Sequence, residues 1–181
     1  RILNDGHMAL GCVGTLSGYK TSDQAMADPV VRSFMNNFMD QTISTLKPLD
    51  EIDYKGFKDD VIRRLDNQDI SDPLTRLARN GISKIKDRLL HTIRDTIAND
   101  TPNQFVTFAV SGWLQYAGKL TSDGHLKGET SGEPNDKDAK KTGLVDDINR
   151  NRATINALFD RQELWGQDLA TNQSFIRTVQ Q

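Results

Sequence analysis

An asparagine and a histidine lie three residues apart near the start of the sequence, at Asn4 and His7. If this segment is helical, the two side chains share one face. An amide can donate a hydrogen bond to an oxygen on which negative charge builds, and an imidazole can donate or accept one. The pair would therefore suit a hydroxyl or carbonyl substrate. The alternative is structural: Asn4 and Asp5 would cap a helix and His7 would be an ordinary polar side chain.

A basic cluster between positions 76 and 88 is the second candidate for chemistry. Its charged members are Arg76, Arg79, Lys84, Lys86, Arg88 and one acid, Asp87. An Asn-Gly turn separates Arg76 from Lys84, which brings two cations from successive short helices near one point. Such a pair could bind a polyhydroxylated or carboxylated ligand. The alternative is a solvated helix face whose charges form surface ion pairs.

The composition excludes several classes of protein. The 181 residues include 23 basic and 25 acidic side chains, a net charge of −2, so the chain has no general attraction to nucleic acid or to an anionic membrane. No run of about 18 apolar residues could form a transmembrane helix. The single cysteine, Cys12, excludes an internal disulfide and fits a reducing compartment, and the three histidines match no zinc motif. We therefore expect a cytoplasmic protein with no metal site.

Apolar residues recur at helical spacing along most of the chain. The predicted core consists of Val31, Phe34, Met35, Phe38 and Met39; Tyr54, Phe57, Val61, Ile62 and Leu65; Ile85, Leu89, Ile93 and Ile97; and Trp113 and Trp165. No run alternates with period two for long enough to form a confident strand. The pattern predicts an all-α domain of seven to nine helices over residues 1–181. No Gly-rich loop opens a βαβ unit, so we expect no nucleotide-binding domain in this chain.

Capping residues mark several expected helix boundaries. Asp28 before Pro29 is typical of an N-cap followed by proline at the first helical position. Residues 101–104, Thr-Pro-Asn-Gln, resemble a capping box that starts the next long helix. Gly81, which follows Asn80, is expected to be the left-handed residue that ends a short helix.

Two further segments and a set of glycines have distinct patterns. Residues 105–116 are apolar nearly all round, which is typical of a helix in the middle of a bundle. Residues 118–143 are rich in Gly, Ser, Asp and Lys, so we expect a long polar surface loop. Gly11, Gly14 and Gly18 cost helix stability and therefore indicate close packing. We expect a partner in that packing, and an apolar patch on this chain where the partner is missing.

The first eleven residues, Arg-Ile-Leu-Asn-Asp-Gly-His-Met-Ala-Leu-Gly, resemble the start of the C-terminal domain of the mannitol dehydrogenase family. These are long-chain, metal-independent polyol and hexuronate dehydrogenases, and their pattern here is Lys-x-x-x-x-Asn-x-x-His followed by small apolar residues. Residues 76–84 are similar to the family's Arg-Ile-Ala-x-Asp-Gly-Ser-x-Lys. Further similar segments are residues 16–21, residues 25–29, residues 113–116 and, more loosely, the tail around Phe159 and Trp165. The resemblance therefore covers most of residues 1–120.

The resemblance implies roles for four residues of this chain. Asn4 matches the asparagine that hydrogen-bonds the reacting oxygen, and His7 matches the histidine beside the substrate and the catalytic lysine. Arg76 and Lys84 match basic residues that contact the substrate's other oxygens. The lysine, a general acid–base, would lie five positions before Asn4 and hence upstream of Arg1, as expected for a fragment of a longer protein. The resemblance assigns no metal ligand and no cofactor-binding residue to this chain.

The resemblance also implies a whole enzyme around this domain. In the family a Rossmann-type N-terminal domain of the same polypeptide binds NAD or NADP, and the mainly helical C-terminal domain closes over it. We therefore expect the substrate-binding domain of an NAD(P)-dependent oxidoreductase that interconverts a small polyol or sugar acid and its keto form, with the isolated chain inactive. Gly6, Met8 and residues 80–82 depart from the family's usual residues. A polyol, a hexuronate and a sugar phosphate therefore all stay open as substrates.

A second function fits the same helical pattern. A non-catalytic all-α domain could bind a partner helix in one of its grooves. A lysine five positions before Asn4, with a Gly-rich strand–turn–helix further upstream, would decide for the dehydrogenase.

Overall fold

The computed structural model describes residues 1–128, 133–150 and 156–180, and this part of the chain is built almost entirely from helices. Within these ranges the only strand-like pairings are isolated bridges, between Thr21 and Pro73 and between Leu120 and Leu126. The predicted all-α class is confirmed. None of the described helices is long and apolar enough to cross a membrane.

The helices follow one another along the chain with mostly short connections. In order they are α1 (Ile2–Leu16), α2 (Ser22–Ala27), α3 (Pro29–Ser44), α4 (Tyr54–Leu65), α5 (Leu74–Leu77), α6 (Gly81–Lys84), a π-helical segment (Ile85–Leu89), α7 (Leu90–Ala98), α8 (Gln104–Ala117), α9 (Ala139–Thr142), α10 (Leu144–Arg150), α11 (Asn156–Phe159), α12 (Gln162–Ala170) and α13 (Gln173–Gln180). The described ranges hold thirteen α-helices rather than seven to nine, because α5, α6, α9 and α11 have four residues each. Such short turns leave no periodic pattern in the sequence. Residues 145–159 also have a helical pattern; α10 and α11 are described there, and residues 151–155 lie outside the described ranges.

Helices α1 and α8 form the centre of the packing. α1 packs on α8, α5 and α3, and most of its side chains are buried. α8 buries side chains on several faces, among them Val106, Val110 and Trp113, which confirms the central position expected for residues 105–116. Phe108, on the remaining face, is 50% exposed. The side chains of α1 are therefore positioned by a helix that packs against three other helices.

The predicted core stripes are largely confirmed. The stripe on α3 is buried throughout, as are Val61 and Leu65 on α4, and both tryptophans lie in the core. Phe57, in the first turn of α4, and Ile97, at the end of its stripe, are instead 45% and 38% exposed. Helical spacing identifies the face that turns inward, but it does not show how far along the helix the core extends.

Two helix starts show what local capping signals can and cannot predict. Asp28 caps α3 as expected, since its carboxylate accepts hydrogen bonds from two backbone N–H groups of the first turn, at 2.7 and 3.3 Å. The expected capping box before α8 is wrong, because Asn103 makes no side-chain cap. Gln41 of α3 replaces it: its side-chain oxygen accepts from the backbone N–H groups of Phe105 at 2.9 Å and Val106 at 3.1 Å. A neighbouring helix thus supplies the partner for the free N–H groups.

Residues 118–143 are not simply the surface loop that their composition predicts, and residues 129–132 lie outside the described ranges. Asn135 and Asp136 are buried, and α9 follows them. A carboxylate oxygen of Asp136 accepts a hydrogen bond from the backbone N–H of Ile82 at 2.9 Å. This part of the segment is buried because its polar groups satisfy the exposed backbone at the start of α6.

Two glycines of α1 allow neighbouring elements of the same chain to approach closely. A Cβ on Gly11 would lie 2.5 Å from the backbone nitrogen of Ala78 and 2.8 Å from the carbonyl oxygen of Leu74, so α5 lies with its backbone directly against α1. Gly14 instead faces side chains: a Cβ on it would lie 2.8 Å from a methyl group of Leu74 and 3.1 Å from the Cβ of Ala25 on α2. The expected close packing is confirmed for these two, but its partners are α5 and α2 and not a second domain. Gly18 instead adopts φ +91° in the turn after α1 and has open space around it.

We predict that Gly11→Ala destabilises the protein, because the added methyl meets backbone atoms that cannot rotate away. The expected loss is about 1–3 kcal/mol of unfolding free energy, as for other overpacked core positions. The matched control is Gly112→Ala on α8, where a Cβ would lie 3.2 Å from a Val13 methyl group, a neighbour that can shift. The control should change stability by less than about 1 kcal/mol, since alanine also favours the helix. Equal melting temperatures for the two variants would contradict the backbone contact.

Candidate functional site

The face of α1 that carries His7 is the face that packs on α5. His7, Gly11 and Gly14 are spaced four and three residues apart and so share one side of the helix. Because the α5 backbone contacts Gly11, His7, one turn earlier, lies beside the segment that runs from α5 into α6. The half-buried imidazole accordingly feels the charges of Lys84, Asp72 and Arg76. His7 is therefore within electrostatic reach of residues that are far from it in the sequence.

Arg76 on α5 is held by an ion pair with Asp72. The Arg76 Nε donates to one Asp72 oxygen at 2.6 Å, and a terminal nitrogen of the guanidinium donates to the other. The Asp72 carboxylate raises the pKa of Arg76 above its ordinary value, so the side chain stays charged. Ser22 fixes Asp72 in turn, since its backbone N–H donates to the Asp72 carbonyl at 2.8 Å. More than half of the Arg76 side chain is exposed, and donors beyond those bound to Asp72 can reach a ligand.

Lys84, at the end of α6, points its ammonium group towards the turn after α5. Its Nζ donates to the carbonyl oxygen of Leu77 at 2.9 Å, which leaves two further N–H donors for another partner. Burial lowers the pKa of Lys84 below its ordinary value, while the carboxylates of Asp136 and Asp5 oppose that shift. Lys84 is thus a half-buried cation that acts electrostatically on His7 and has N–H donors available to another partner.

The turn between α5 and α6 sets the position of Lys84. Asn80, and not Gly81, takes the left-handed conformation there, with φ 55° and ψ 44°. The expected role of Gly81 as a C′ residue is therefore wrong; it begins α6, and a Cβ on it would lie 2.4 Å from the Trp113 indole nitrogen. The backbone N–H of Asn80 donates to the carbonyl of Asn135 at 2.8 Å, which ties the turn to the segment predicted as a surface loop. Close contact with α8 on one side and hydrogen bonds on the other hold α6 in place.

Asn4 and Asp5 sit next to each other on the first turn of α1 in opposite environments. Asn4 is exposed, and so its amide is accessible to a molecule bound beside His7. Asp5 is fully buried, and neither of its carboxylate oxygens has a hydrogen-bond partner among the described residues. The alternative interpretation of both residues as caps is wrong, because α1 begins after Arg1 without a side-chain cap. Burial raises the pKa of Asp5 to about 6, opposed by positive charges that include Arg88 and Lys84.

The electrostatics of the site favour a neutral histidine. Burial lowers the pKa of His7, and the positive charge of Lys84 lowers it further. An imidazole whose pKa lies below its ordinary value is uncharged near neutral pH and can both donate and accept a hydrogen bond. Fixed cations, an accessible amide and a neutral imidazole together form a site rich in hydrogen-bond donors.

Three acids of this region were not among the predicted site residues. Asp72 precedes Arg76 by four residues, a spacing that signals an ion pair in a helical segment, and this signal could have been found. Asp136 caps α6 from a distant segment, and no local sequence pattern predicts that hydrogen bond. Asp5 carries one signal, a charged residue among the apolar side chains of α1, which is uncommon in a core-facing position.

Other candidates play no part in the site. Cys12 is buried and burial raises its pKa well above the ordinary value, which suits a packing role. His91 is exposed and lies outside this group of residues. Among the described residues no three His, Cys, Asp or Glu side chains come together as a metal site would require.

An apolar groove lies between α3 and α8. Pro29, Val30, Phe34, Phe105 and Phe108 line most of its volume of about 610 Å³. Val30 is 74% exposed, and the ring centroids of Phe34 and Phe108 lie 5.3 Å apart. None of the predicted site residues is on either of these helices.

Comparison with known proteins identifies the family. Residues 1–181 match the mannitol dehydrogenase C-terminal domain. The chain therefore belongs to the mannitol dehydrogenase family and corresponds to its C-terminal domain.

Individual relatives and solved structures agree with this assignment. A mannitol 2-dehydrogenase of Aspergillus fumigatus is 26% identical over 182 residues, covering 99% of this chain and 34% of the relative. A polyol:NADP oxidoreductase of Gluconobacter oxydans is 33% identical over 116 residues, covering 64% of this chain and 24% of the relative. The mannitol 2-dehydrogenase of Pseudomonas fluorescens, solved as a ternary complex with NAD and D-mannitol, is 28% identical with a TM-score of 0.78, covering 98% of this chain and 35% of that one. The matched part of the chain thus spans about a quarter to a third of the length of these proteins.

A further solved structure shows the shared fold alone. It is a D-sorbitol dehydrogenase in substrate-free form, 21% identical with a TM-score of 0.68, covering 99% of this chain and 39% of that one.

We predict that His7 titrates below the ordinary histidine value and that Lys84→Met raises its pKa. Removing the cation relieves the repulsion that disfavours imidazolium, so the direction of the change is fixed by the charge. NMR titration of the histidine ring protons would measure both quantities. Lys119→Met, which removes an exposed lysine on the segment after α8, is the control and should leave His7 unchanged. A His7 pKa that ignores the loss of Lys84 would show that the two side chains do not share a site.

Proposed function

We propose that this chain is the substrate-binding domain of an NAD(P)-dependent, metal-independent dehydrogenase that interconverts a polyol, or a sugar acid, and its keto form by hydride transfer. The observation that carries the proposal is the close approach of α5 to Gly11 of α1, one turn from His7, together with the electrostatic effect of Lys84 and Arg76 on that histidine. Membership of the mannitol dehydrogenase family supports it, as does the similarity to an enzyme solved with NAD and D-mannitol.

Asn4 and His7 would act on the reacting oxygen of the substrate. When a secondary alcohol is oxidised, negative charge builds on its oxygen as the proton leaves, and a fixed donor stabilises that charge. Asn4 would provide this donor, because its amide is accessible and its helix is rigidly packed. His7, neutral near pH 7, would hold the hydroxyl in line and orient the lysine that takes the proton. That general base would lie upstream of Arg1.

Arg76 and Lys84 would bind the oxygens of the substrate that do not react. A polyol presents hydroxyl groups along its whole length, and each can accept a hydrogen bond from a cationic donor. Asp72 fixes the Arg76 guanidinium, and the Leu77 carbonyl fixes the Lys84 ammonium. These prearranged donors would hold the carbon chain so that only one hydroxyl faces Asn4 and His7.

The remainder of the enzyme would supply the cofactor site. The described residues contain no βαβ unit with a phosphate-binding loop, and we assign no residue of this chain to the nucleotide. NAD or NADP, which supplies the hydride chemistry in such enzymes, would be bound mainly by a Rossmann-type domain of the same polypeptide. The isolated chain would accordingly be inactive. The lone, buried cysteine supports a cytoplasmic location for the enzyme.

The alternative function is a non-catalytic domain that binds a partner helix. The apolar groove between α3 and α8 favours it, because exposed aromatic and aliphatic side chains line a continuous volume there. A helix with an apolar face would fit such a groove. This function leaves the polar arrangement around His7 without a role, and we therefore rank it second.

We predict different kinetic signatures for three variants of the full-length enzyme. Asn4→Ala should lower kcat by about 10²–10³, the range for removing one donor to developing charge. Arg76→Ala should raise KM more than it lowers kcat, because it would hold a remote oxygen equally in the ground and transition states. His7→Ala should fall between, since it would touch both the substrate and the base. Steady-state polyol oxidation with NAD and NADP measures all three.

Arg63→Ala is the matched control for the loss of an ion-paired arginine. Arg63 pairs with Asp60 on exposed α4 much as Arg76 pairs with Asp72, so its loss should leave the kinetics unchanged. A decrease in kcat alone in Arg76→Ala would show that the roles are assigned wrongly. A change in KM alone in Asn4→Ala would show the same. Unchanged kinetics in all three variants, with lower melting temperatures, would favour the non-catalytic domain.

A further inference from the structure

A polar pocket lies between the helical segment that begins with α6 and the residues just before α9. Its volume is about 390 Å³, which is within the range of sites that hold small molecules. The charged side chains of its lining are three cations and two acids, namely Lys84, Arg88, Lys137, Asp87 and Asp138. Positive side chains therefore outnumber negative ones, and the lining favours an anion over a cation.

Arg88 brings five N–H donors to this pocket. Its side chain is exposed, and its guanidinium makes no hydrogen bond or ion pair with any residue in the described ranges. Lys84, four residues earlier, keeps two donors beyond the one that it gives to the Leu77 carbonyl at 2.9 Å. A guanidinium binds a carboxylate or a phosphate through two parallel N–H bonds, and an ammonium adds a point charge. Arg88 and Lys84 can therefore bind one anionic group together.

The other charged side chains of the lining differ in how they are held. Asp138 accepts a hydrogen bond from the Ser83 hydroxyl at 2.5 Å and is thereby held against α6. Lys137 pairs with Glu133 at 2.6 Å, but both side chains are exposed, and such a pair is weak enough to open for a ligand. Asp87 is exposed, and its carboxylate makes no hydrogen bond or ion pair in the described part of the chain. Asp87 is thus the charge that opposes an anion in this pocket.

The backbone that carries Arg88 and Asp87 is a π-helical turn. The helical backbone continues without a break from α6 through Ile85–Leu89 into α7, and the middle segment has the π conformation. Such turns are rare inside helices and occur frequently at functional sites. The polyol site around His7 gives this turn no role, whereas a ligand in the pocket would.

We propose that this pocket binds the anionic end of the substrate, a carboxylate or a phosphate, through Arg88 and Lys84. The inference rests on the proposed function, because Lys84 is the residue that the pocket shares with the polyol site. A substrate whose reacting hydroxyl is held by Asn4 and His7 would extend past Lys84, and its far end would meet Arg88. The enzyme would therefore prefer a sugar acid or a sugar phosphate to a neutral polyol of the same length.

The test uses the full-length protein with NAD and NADP and three substrates that differ only in the group at one end: D-mannitol, D-mannonate and D-mannitol 1-phosphate. For the wild type, kcat/KM should be about tenfold higher for one of the two anions than for D-mannitol. The preferred anion shows whether the pocket takes a carboxylate or a phosphate. Arg88→Gln should raise KM for that anion about tenfold and leave KM for D-mannitol unchanged. Arg88→Lys keeps the charge without the paired N–H geometry and should have a smaller effect.

Asp87→Asn tests the same charge balance in the opposite direction. It removes the carboxylate that opposes the ligand, so KM for the preferred anion should fall about two- to fivefold. KM for D-mannitol should not change, because a neutral hydroxyl group does not feel this charge strongly. The variant also decides the question if Arg88→Gln does not fold.

Lys86→Gln is the matched control. Lys86 is an exposed cation on the same π-helical turn, but it lines a different pocket together with Arg161. That arginine is already paired with Asp147 and Glu163, each at 2.6 Å. The control should therefore leave KM unchanged for all three substrates.

The possible failures are distinguishable. Turnover of D-mannitol without a preference for either anion would overturn the anion pocket and leave the proposed function standing. An anion preference that survives Arg88→Gln, or that Lys86→Gln weakens equally, would place the anion elsewhere and overturn the inference too. A wild type that oxidises none of the three substrates would overturn the proposed function together with this inference.

Discussion

Helices α1 and α5 touch backbone to backbone at Gly11, and the geometry of the candidate site follows from that contact. A side chain at position 11 would separate the two helices, and α5 carries Arg76 while the turn after it leads to Lys84. With α5 this close, the charges of both cations act on His7. The glycines of α1 cost helix propensity, and that cost is offset by the approach they permit.

The sequence predicts the parts of this arrangement that depend on local pattern. Helical spacing identifies the core face of α3, and Asp28 identifies its start, because both signals act within one or two turns. Prediction from the sequence fails where a distant segment supplies the hydrogen-bond acceptor for a helix start. Gln41 caps α8 in this way, and Asp136 caps α6. Asn4, His7, Arg76 and Lys84 could be singled out from residue type and resemblance, but their convergence depends on packing that no local pattern reveals.

The burial of ionisable groups at the candidate site has a cost in stability. Asp5, Lys84 and His7 are each partly or fully buried, and each pKa is shifted towards the neutral form of the group by that burial. A domain selected for stability alone would replace such groups with apolar ones. Their presence around one end of α1 is explained if a substrate with many oxygens, held between this domain and another, completes their hydrogen bonds.

The central claim is that α1, α5 and α6 jointly form one polyol-binding surface. Its most direct test is a crystal structure of the full-length protein with D-mannitol and NAD bound. The account predicts that the polyol lies across the end of α1, with Asn4, His7, Arg76 and Lys84 each within about 3.2 Å of one of its oxygens. A polyol bound elsewhere, or one that contacts α1 without reaching Arg76 and Lys84, would contradict it.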